Sequence, residues 1–345
     1  MDGDRNKIIM VDDNRANLDV GRNMLKPFYE VYPAISTARL FQLFEKIIPD
    51  LVLLDIEMPE MNGFEAIKQL KSSSAYASIP VIFLTNLADD ANEALGIELG
   101  AVDFVAKPFS KPVLLNRLKY HLHIEDVIHE RMASLLKLQN GIVITMADLI
   151  ESRDKDTGGH VNRMSQYAKI LVEAMLERGV YADELERWDL PSFYSSSRLH
   201  DVGKIVIPDS ILNKPGKLDE AEFEMMKTHT TESKSIIDKM IEHTDGAEFL
   251  YNAKLTAAYH HERWDGTGYP YGLKETRIPI QGRIMAIVDV YDALVSNRPY
   301  KKAFTEEDTI QILKEGAGKH FDPFIMDVFL DQRDMFKAVK QKHPD

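Results

Sequence analysis

The sequence predicts two domains: an α/β domain on a doubly wound, five-stranded parallel sheet, joined by a helix to an all-α domain. Three observations carry this expectation. The first ~120 residues alternate short apolar runs with amphipathic stretches, as strands and helices do when helices cover both faces of a parallel sheet. After Gly141 the strand signals largely vanish and helical periodicity takes over. The chain, at 345 residues, also exceeds what one core usually holds, since domains average roughly 150 residues. The expected boundaries are residues 1–122 for the first domain, 123–140 for a helical linker and 141–345 for the second.

In order, strands are expected over 7–11, 28–32, 51–54, 81–84 and 103–106. LVLL and VIFL are continuous apolar runs, as strands buried on both faces require. Helices are expected between them over 14–26, 37–47, 63–71, 90–99 and 112–121. From His121 to Gln139 the chain is charged and helical, with Ile124, Ile128, Met132 and Leu135 on one stripe and no Gly or Pro before Gly141. That stripe suits either a homodimer contact or packing on its own domain, because Arg131 and Gln139 interrupt the heptads. Beyond it, helices are expected over 142–152, 161–178, 184–199, 220–229, 232–241, 249–261, 280–296 and 306–314. Asp219 with Glu222 three residues later forms a capping-box signal.

Composition limits the function. Forty-two Lys+Arg against 55 Asp+Glu give a net charge of −13. Such a surface repels polyanions, so nucleic acid and acidic membranes are not expected partners. A small anion remains accessible if metals or local cations reverse the potential in one cleft. The chain has no cysteine, which removes disulfides, thiolate catalysis and Cys-ligated metals. No apolar run approaches a membrane span and MDGDRNK lacks a signal peptide's hydrophobic stretch, so a cytoplasmic location is expected.

Asp12 and Asp13 follow the first strand, Asp55 ends the third, Thr85 the fourth, and Lys107-Pro108 follows the fifth. In a doubly wound sheet the carboxyl ends of the strands converge on one crevice. Three carboxylates there repel unless a divalent cation joins them, and all-oxygen ligation suits Mg²⁺. One carboxylate can then act as a nucleophile toward a phosphoryl group. Lys107 would balance the charge, and the Thr85 hydroxyl could follow the phosphate and couple it to Phe104. An Asp at a strand end is by itself usually a turn residue; the ordered set is not.

VDD at 11–13, LLDIEMPEMNG at 53–63, FLTN at 83–86 and FVAKPF at 104–109 resemble the receiver domain of two-component response regulators, a flavodoxin-like fold. The resemblance covers residues 5–122. It implies that Asp55 accepts a phosphoryl group from a cognate histidine kinase, with Mg²⁺ held by Asp12, Asp13 and Asp55. It also implies that Thr85 and Phe104 report the modification and that Lys107 contacts the phosphate. Phe104 replaces the more usual Tyr and removes a hydroxyl from that switch.

The second domain gathers histidines: His160 in DTGGH, His200 in HDVGK, His229 in MKTHT and the pair His260-His261. A lone histidine at a helix end is most often a cap. Here each has company. Asp156 lies four residues before His160, Asp201 adjoins His200, and Asp289 sits in the apolar helix IMAIVDVYDAL, where a carboxylate needs a cation or full hydrogen bonding. Imidazoles and carboxylates without thiolates suit Fe, Mn, Zn, Ni or Co rather than Mg²⁺ or Ca²⁺. Eight candidate ligands exceed the needs of one ion, so at least two are expected, with Asp201 able to bridge them. Two metals about 3.5–4 Å apart can stabilise both oxygens of an in-line displacement at phosphorus. The expected reaction is metal-assisted phosphoester hydrolysis. The glycines of DTGGH and of DGTGYP read as turn residues near this cleft, because no strand and Lys-Ser/Thr accompany them.

HDVGK at 200–204, HHERWDGTGYP at 260–270, IVDVYDALVSNRPYKKA at 287–303 and GKHFDP at 318–323 resemble the HD-GYP phosphodiesterases, a branch of the HD phosphohydrolases. The resemblance spans about residues 141–335. It implies hydrolysis of a cyclic dinucleotide, most often cyclic di-GMP, to pGpG or GMP. His200, Asp201, His229, His260, His261 and Asp289 match the metal ligands, and His160 matches the ligand of the preceding TGxH segment. Asp156 stands where a subset of the family places a Glu at a third metal; Asp is one methylene shorter. Two or three divalent metals, iron or manganese first, are therefore expected. Lys204, Arg298 and Lys301 match residues that contact substrate phosphates. Tyr269 lies on the GYP loop, facing the ligand or packing the loop, while Glu262 and Asp265 read as supporting or turn residues.

The leading expectation is a response regulator whose output is a cyclic di-GMP phosphodiesterase. The alternatives are a cyclic dinucleotide sensor or adaptor with little turnover, and a hydrolase preferring 3′,3′-cyclic GMP-AMP or pGpG. No helix-turn-helix or basic output follows the first domain, which disfavours a DNA-binding regulator.

Overall fold

The computed structural model describes residues 5–86, 90–153, 159–244, 248–297 and 302–344. Its contacts divide the chain into two compact units, Met1–Ser134 and Leu135–Asp345.

The first unit runs β1 (Lys7–Val11), α1 (Arg15–Leu25), β2 (Glu30–Ala34), α2 (Thr37–Phe44), β3 (Leu51–Asp55), α3 (Gly63–Ser72), β4 (Val81–Thr85), α4 (Asp90–Glu98) and β5 (Asp103–Ala106). Every strand pairing is parallel, in the order β2-β1-β3-β4-β5. Alternate residues of the central strands feed two cores. Ile9, Val11, Val52, Leu54 and Phe83 face one side, and Ile8, Met10, Leu51, Leu53, Ile82 and Leu84 face the other. The strand order changes direction between β1 and β3, and that switch point opens the crevice at their carboxyl ends. Asn62 caps α3 through a capping box with Glu65.

Helix α5 (Lys111–Glu151) starts in this unit and ends in the next. The expected helices over 112–121, 121–139 and 142–152 are one element, because Gly141 alone does not interrupt a helix. Among the described residues α5 is the one helix long and apolar enough to cross a membrane by length and composition, with a window of mean hydropathy 1.2.

The second unit continues with α6 (His160–Glu177), α7 (Ala182–Leu185), α8 (Leu190–Ser196), two 3-10 turns (Ser197–Leu199 and Val202–Val206) and α9 (Asp209–Leu212). Then follow α10 (Glu220–Glu242), α11 (Glu248–Tyr259), a 3-10 turn (Glu275–Arg277), α12 (Ile280–Val295), α13 (Glu306–Gly316) and α14 (Pro323–Lys342). Its main core lies between α6, α12 and α14, where Tyr167 stacks on Phe336 at 4.6 Å and Tyr291 meets Phe336 edge-on at 5.3 Å. A smaller core joins Val143 and Ile150 of α5 to Ile237 of α10 and Phe249, Leu250 and Ala253 of α11.

Several elements differ from expectation for local reasons. The second strand starts two residues late because the N–H groups of Phe28 and Tyr29 bond to the Leu25 carbonyl and close α1. The helix expected over 184–199 is broken, since Pro191 can only sit in the first turn of α8. The helices expected over 220–229 and 232–241 merge into α10. There Thr228, Thr230 and Thr231 turn their hydroxyls onto carbonyls three residues back and the helix passes through them. Helix α14 was not expected, although Asp322 followed by Pro323 marks its start: Asp322 accepts from the N–H of Phe324 and Ile325.

Candidate metal centre and phosphoacceptor pocket

In the first unit the carboxyl ends of β1 and β3 bring Asp12, Asp13 and Asp55 together, with ligand oxygens within 4.8 Å of one another. Asp12 and Asp55 are buried and Asp13 is exposed. Lys107, after β5, reaches both buried carboxylates, 2.7 Å from Asp12 Oδ2 and 2.6 Å from Asp55 Oδ2. Asn17 donates to both oxygens of Asp12 and the Asn14 N–H to one of them, fixing its plane. Burial pushes the Asp55 carboxyl up, and the Lys107 ammonium pulls against it. Thr85 is buried at the end of β4 and its carbonyl accepts from the Lys107 N–H at 2.7 Å. Phe104 packs against Phe83 at 5.5 Å. Asp12, Asp13, Asp55, Thr85 and Lys107 thus lie at the carboxyl ends of the strands, while Phe104 sits within β5 against the core. Three acidic groups around one buried cation form a place where a divalent ion and a phosphoryl group can exchange.

The second unit gathers the histidines from four elements. His160 opens α6, His200 lies between the two 3-10 turns, His229 is in α10, and His260 and His261 follow α11. Four of them are oriented identically. Nδ1 of His200 lies 3.1 Å from the Ser197 carbonyl, Nδ1 of His229 2.7 Å from the Met226 carbonyl, and Nδ1 of His260 3.0 Å from the Ala257 carbonyl. Nδ1 of His160 lies 2.7 Å from Asp292 Oδ2. Each of these oxygens accepts, so each Nδ1 carries a hydrogen, and in its neutral form each ring turns an Nε2 lone pair inward. The lone pairs face one another: His160 and His200 at 3.4 Å, His229 and His260 at 3.5 Å. Facing Nε2 atoms in a buried site are satisfied by a proton on one ring or by a shared metal ion.

Asp201 lies between the two pairs. Its Oδ1 is 3.3 Å from His229 Nε2 and 3.6 Å from His260 Nε2, while its Oδ2 is 3.3 Å from His200 Nε2. That buried Oδ1 has no hydrogen-bond partner, as befits an oxygen reserved for a metal. Two donor groups result: His160, His200 and Asp289, and His229, His260 and His261. This donor set fits a pair of transition-metal ions bridged by Asp201.

The electrostatics differ across the cluster. Burial works against a charged His200, but Asp201, Asp289 and Glu151 hold its imidazole up at about 9. Burial pushes His229 down to about 4, and burial with the neighbouring His260 and His229 holds His261 well below the ordinary range. Burial raises Asp201, yet Lys204 and His200 outweigh it and keep the carboxylate ionised. Lys204 Nζ stands 3.0 Å from Asp201 Oδ2.

Close backbone contacts position these groups. A Cβ at Gly203 would fall 2.0 Å from the His229 carbonyl oxygen, so only glycine lets the HDVGK turn meet α10. The GYP loop folds onto Glu262, which accepts from the N–H of Tyr271 at 2.7 Å and of Leu273 at 2.9 Å. Asp265 accepts from Thr267 and is a turn residue. Tyr269 stacks on His261 with ring centres 4.8 Å apart. Asp156, Arg298 and Lys301 lie outside the described residues.

Three residues at the site were not anticipated. Asp292, three residues after Asp289 on α12, orients His160 and receives two bonds from the fully buried Arg163, 2.6 Å from Nε and 2.9 Å from Nη2. The Asp289-x-x-Asp292 spacing on an apolar helix was the available signal. Glu151 approaches His160 from the end of α5, and no spacing within its own helix marks it.

The family model described as a response regulator receiver domain matches residues 8–119, and the one described as an HD domain matches residues 144–325. A Vibrio cholerae protein named "Probable cyclic di-GMP phosphodiesterase" is 39% identical, over 98% of this chain and 80% of its own length. The "Cyclic di-GMP phosphodiesterase response regulator RpfG" of Xanthomonas campestris is 32% identical, over 96% and 89%. The "3'3'-cGAMP-specific phosphodiesterase 2" of Vibrio cholerae is 38% identical over 62% of this chain and 38% of its own. With a parallel-sheet receiver, a helical HD domain and relatives aligned along both, the chain belongs to the family of response regulators whose output is an HD-type phosphodiesterase.

Proposed function

We propose that this protein is a two-component response regulator that hydrolyses cyclic di-GMP to pGpG, GMP or both, under the control of phosphorylation at Asp55 by a cognate histidine kinase. The reading of a metal-dependent hydrolase rests chiefly on one observation: four histidines locked through Nδ1 with Nε2 lone pairs paired at 3.4 and 3.5 Å around Asp201. His160, His200 and Asp289 would hold one ion, His229, His260 and His261 a second, with Asp201 shared; the resemblance would give Asp156 to a third. Nitrogen and carboxylate donors suit Fe, Mn, Zn, Ni or Co, and the resemblance puts iron or manganese first. Bound there, such ions supply Lewis acidity toward a phosphodiester and a water of lowered pKa.

The chain's own groups do the rest. Asp292 and three backbone carbonyls hold the imidazoles in the tautomer that presents Nε2. Lys204 offers an ammonium beside Asp201, and Arg298 and Lys301, matched by resemblance to residues that contact substrate phosphates, would add positive charge for a doubly charged substrate. Tyr269, against His261, forms part of the wall beside them. In the receiver, Asp12, Asp13 and Asp55 would hold Mg²⁺, Asp55 would take the phosphoryl group, Lys107 would neutralise it, and Thr85 and Phe104 would respond. A second copy of the chain is placed on α5, where Ile128, Leu135, Ile142 and Leu149 recur every seven residues and are each at least half exposed. The expected location is the cytoplasm.

The test is elemental analysis of anaerobically purified protein together with chromatography of reactions on cyclic di-GMP, 3′,3′-cyclic GMP-AMP and pGpG. Two or more metals per chain with pGpG or GMP formed from cyclic di-GMP is the expected result. Preference for the mixed nucleotide would move the substrate toward that of the cGAMP-specific relative. Full metal occupancy with tight binding and no product from any of the three would make the domain a sensor.

A further inference from the structure

Glu151 is the last residue of α5, the helix that begins at Lys111 just after the receiver's fifth strand. Its side chain is nearly nine-tenths buried, and Oε1 stands 3.3 Å from His160 Nε2. That contact is the one polar contact the side chain makes among the described residues. His160 has committed its Nδ1 hydrogen to Asp292, a carboxylate that Arg163 also grips. In its neutral form the ring presents a lone pair to the Glu151 oxygen. Two acceptors at that separation, shielded from water, need a proton or a metal ion between them.

The spacing fits a metal. Donors sharing one ion at about 2.1 Å are about 3.0 Å apart across a right angle and about 3.4 Å apart across a tetrahedral one. Glu151 to His160 at 3.3 Å and His160 to His200 at 3.4 Å are edges of that size. The longer His200 to Asp289 separation, 4.0 Å, suits donors further round the same ion.

We propose that Glu151 is a metal ligand, supplying a carboxylate oxygen at the His160–His200 position. This rests on the reading of the histidine cluster as a metal centre. The connector helix then ends on the metal itself, and any turn or slide of α5 carries a ligand with it.

The experiment compares full-length wild type with Glu151→Gln and Glu151→Asp, each stripped of metal and titrated with Mn²⁺ by calorimetry. Metal-free unfolding midpoints are measured alongside. Glu151→Gln should lose one equivalent of Mn²⁺, or bind it at least 100-fold more weakly, while the remaining equivalents, the receiver's included, and the metal-free midpoint stay at wild-type values. Glu151→Asp, which keeps the charge, should recover part of that affinity. Wild-type stoichiometry and affinity in Glu151→Gln would overturn the proposal. So would a metal-free midpoint that falls as far as the metal-loaded one, which would make Glu151 a structural residue. A wild-type protein that takes up no Mn²⁺ or Fe²⁺ would instead overturn the metal-centre reading beneath it.

Discussion

The two polar clusters of this protein solve the same electrostatic problem in opposite ways. In the receiver, the buried carboxylates of Asp12 and Asp55 are already balanced by Lys107, which touches both. In the helical domain the acceptors outnumber the chain's own cations. Four inward lone pairs and Asp201 face one another, with Lys204 as the single ammonium at contact distance among the described residues. A pocket with a built-in cation can load and release Mg²⁺ and a phosphoryl group. A cluster with more inward acceptors than its one ammonium can balance needs metal ions for coherence. The first is arranged for exchange, the second for retention.

Removing metal gives the largest expected contrast. Each ion held at 100-fold above its Kd adds about 2.7 kcal/mol of stability, so two add about 5 kcal/mol. At about 2–4 °C per kcal/mol for a unit of this size, chelation should lower the helical domain's unfolding midpoint by about 10–20 °C and abolish turnover. The receiver's transition should not move. Calorimetric scans with and without chelator read both at once, and equal shifts in the two transitions would erase the distinction.

Asp292→Asn comes next. It removes the carboxylate charge that the fully buried Arg163 grips through Nε and Nη2, a loss of about 3–5 kcal/mol. Burial alone would raise the Asp292 carboxyl, but His160 and Arg163 hold it far below its usual value. A depressed carboxyl stabilises above its unfolded pKa of about 3.9 and loses that contribution as pH falls toward the folded value. The gap between wild type and variant in denaturant titrations of the metal-free protein should therefore be full at pH 7 and shrink below about pH 4. A gap that is constant with pH would mean that the loss is packing rather than charge.

Lys107→Met asks the same question of the receiver. Without the ammonium, Asp12 and Asp55 become uncompensated, and Mg²⁺ should bind about 10-fold tighter, about 1.4 kcal/mol. Calorimetric titration with Mg²⁺ decides it. Weaker binding would show that Lys107 organises the ion site rather than competing for it.

How far the sequence foretold this arrangement depends on where the ligands come from. The receiver was legible because Asp12, Asp13, Asp55, Thr85 and Lys107 each end or follow a strand, and the strand order brings those ends together. His200-Asp201 and His260-His261 were legible as adjacent pairs. Asp292 and Arg163 were not, since their meeting requires α12 to pack on α6 across 129 positions. Glu151 was hidden for a different reason. Gly141 suggested a break between connector and domain, whereas α5 runs through it and delivers the residue ten positions later. Misplaced boundaries at Pro191 and within α10 did no harm to the site, because no proposed ligand depended on them.

Tyr269→Phe is the smallest expected change and separates two roles for the GYP loop. The ring stacks on His261, the Tyr269 N–H bonds to the His261 carbonyl at 3.1 Å, and neither contact needs the phenol. Burial pushes that phenol far up, so it stays neutral at working pH and adds no charge to the cluster. If Tyr269 shapes the site through its ring, the variant should keep full metal content, and its kcat should stay within about threefold of wild type, about 0.7 kcal/mol. A 100-fold drop in kcat with metal content intact would place the hydroxyl on the substrate. The GYP loop would then join Lys204 as a group that meets the phosphodiester, each of them in contact with a proposed metal ligand, His261 and Asp201.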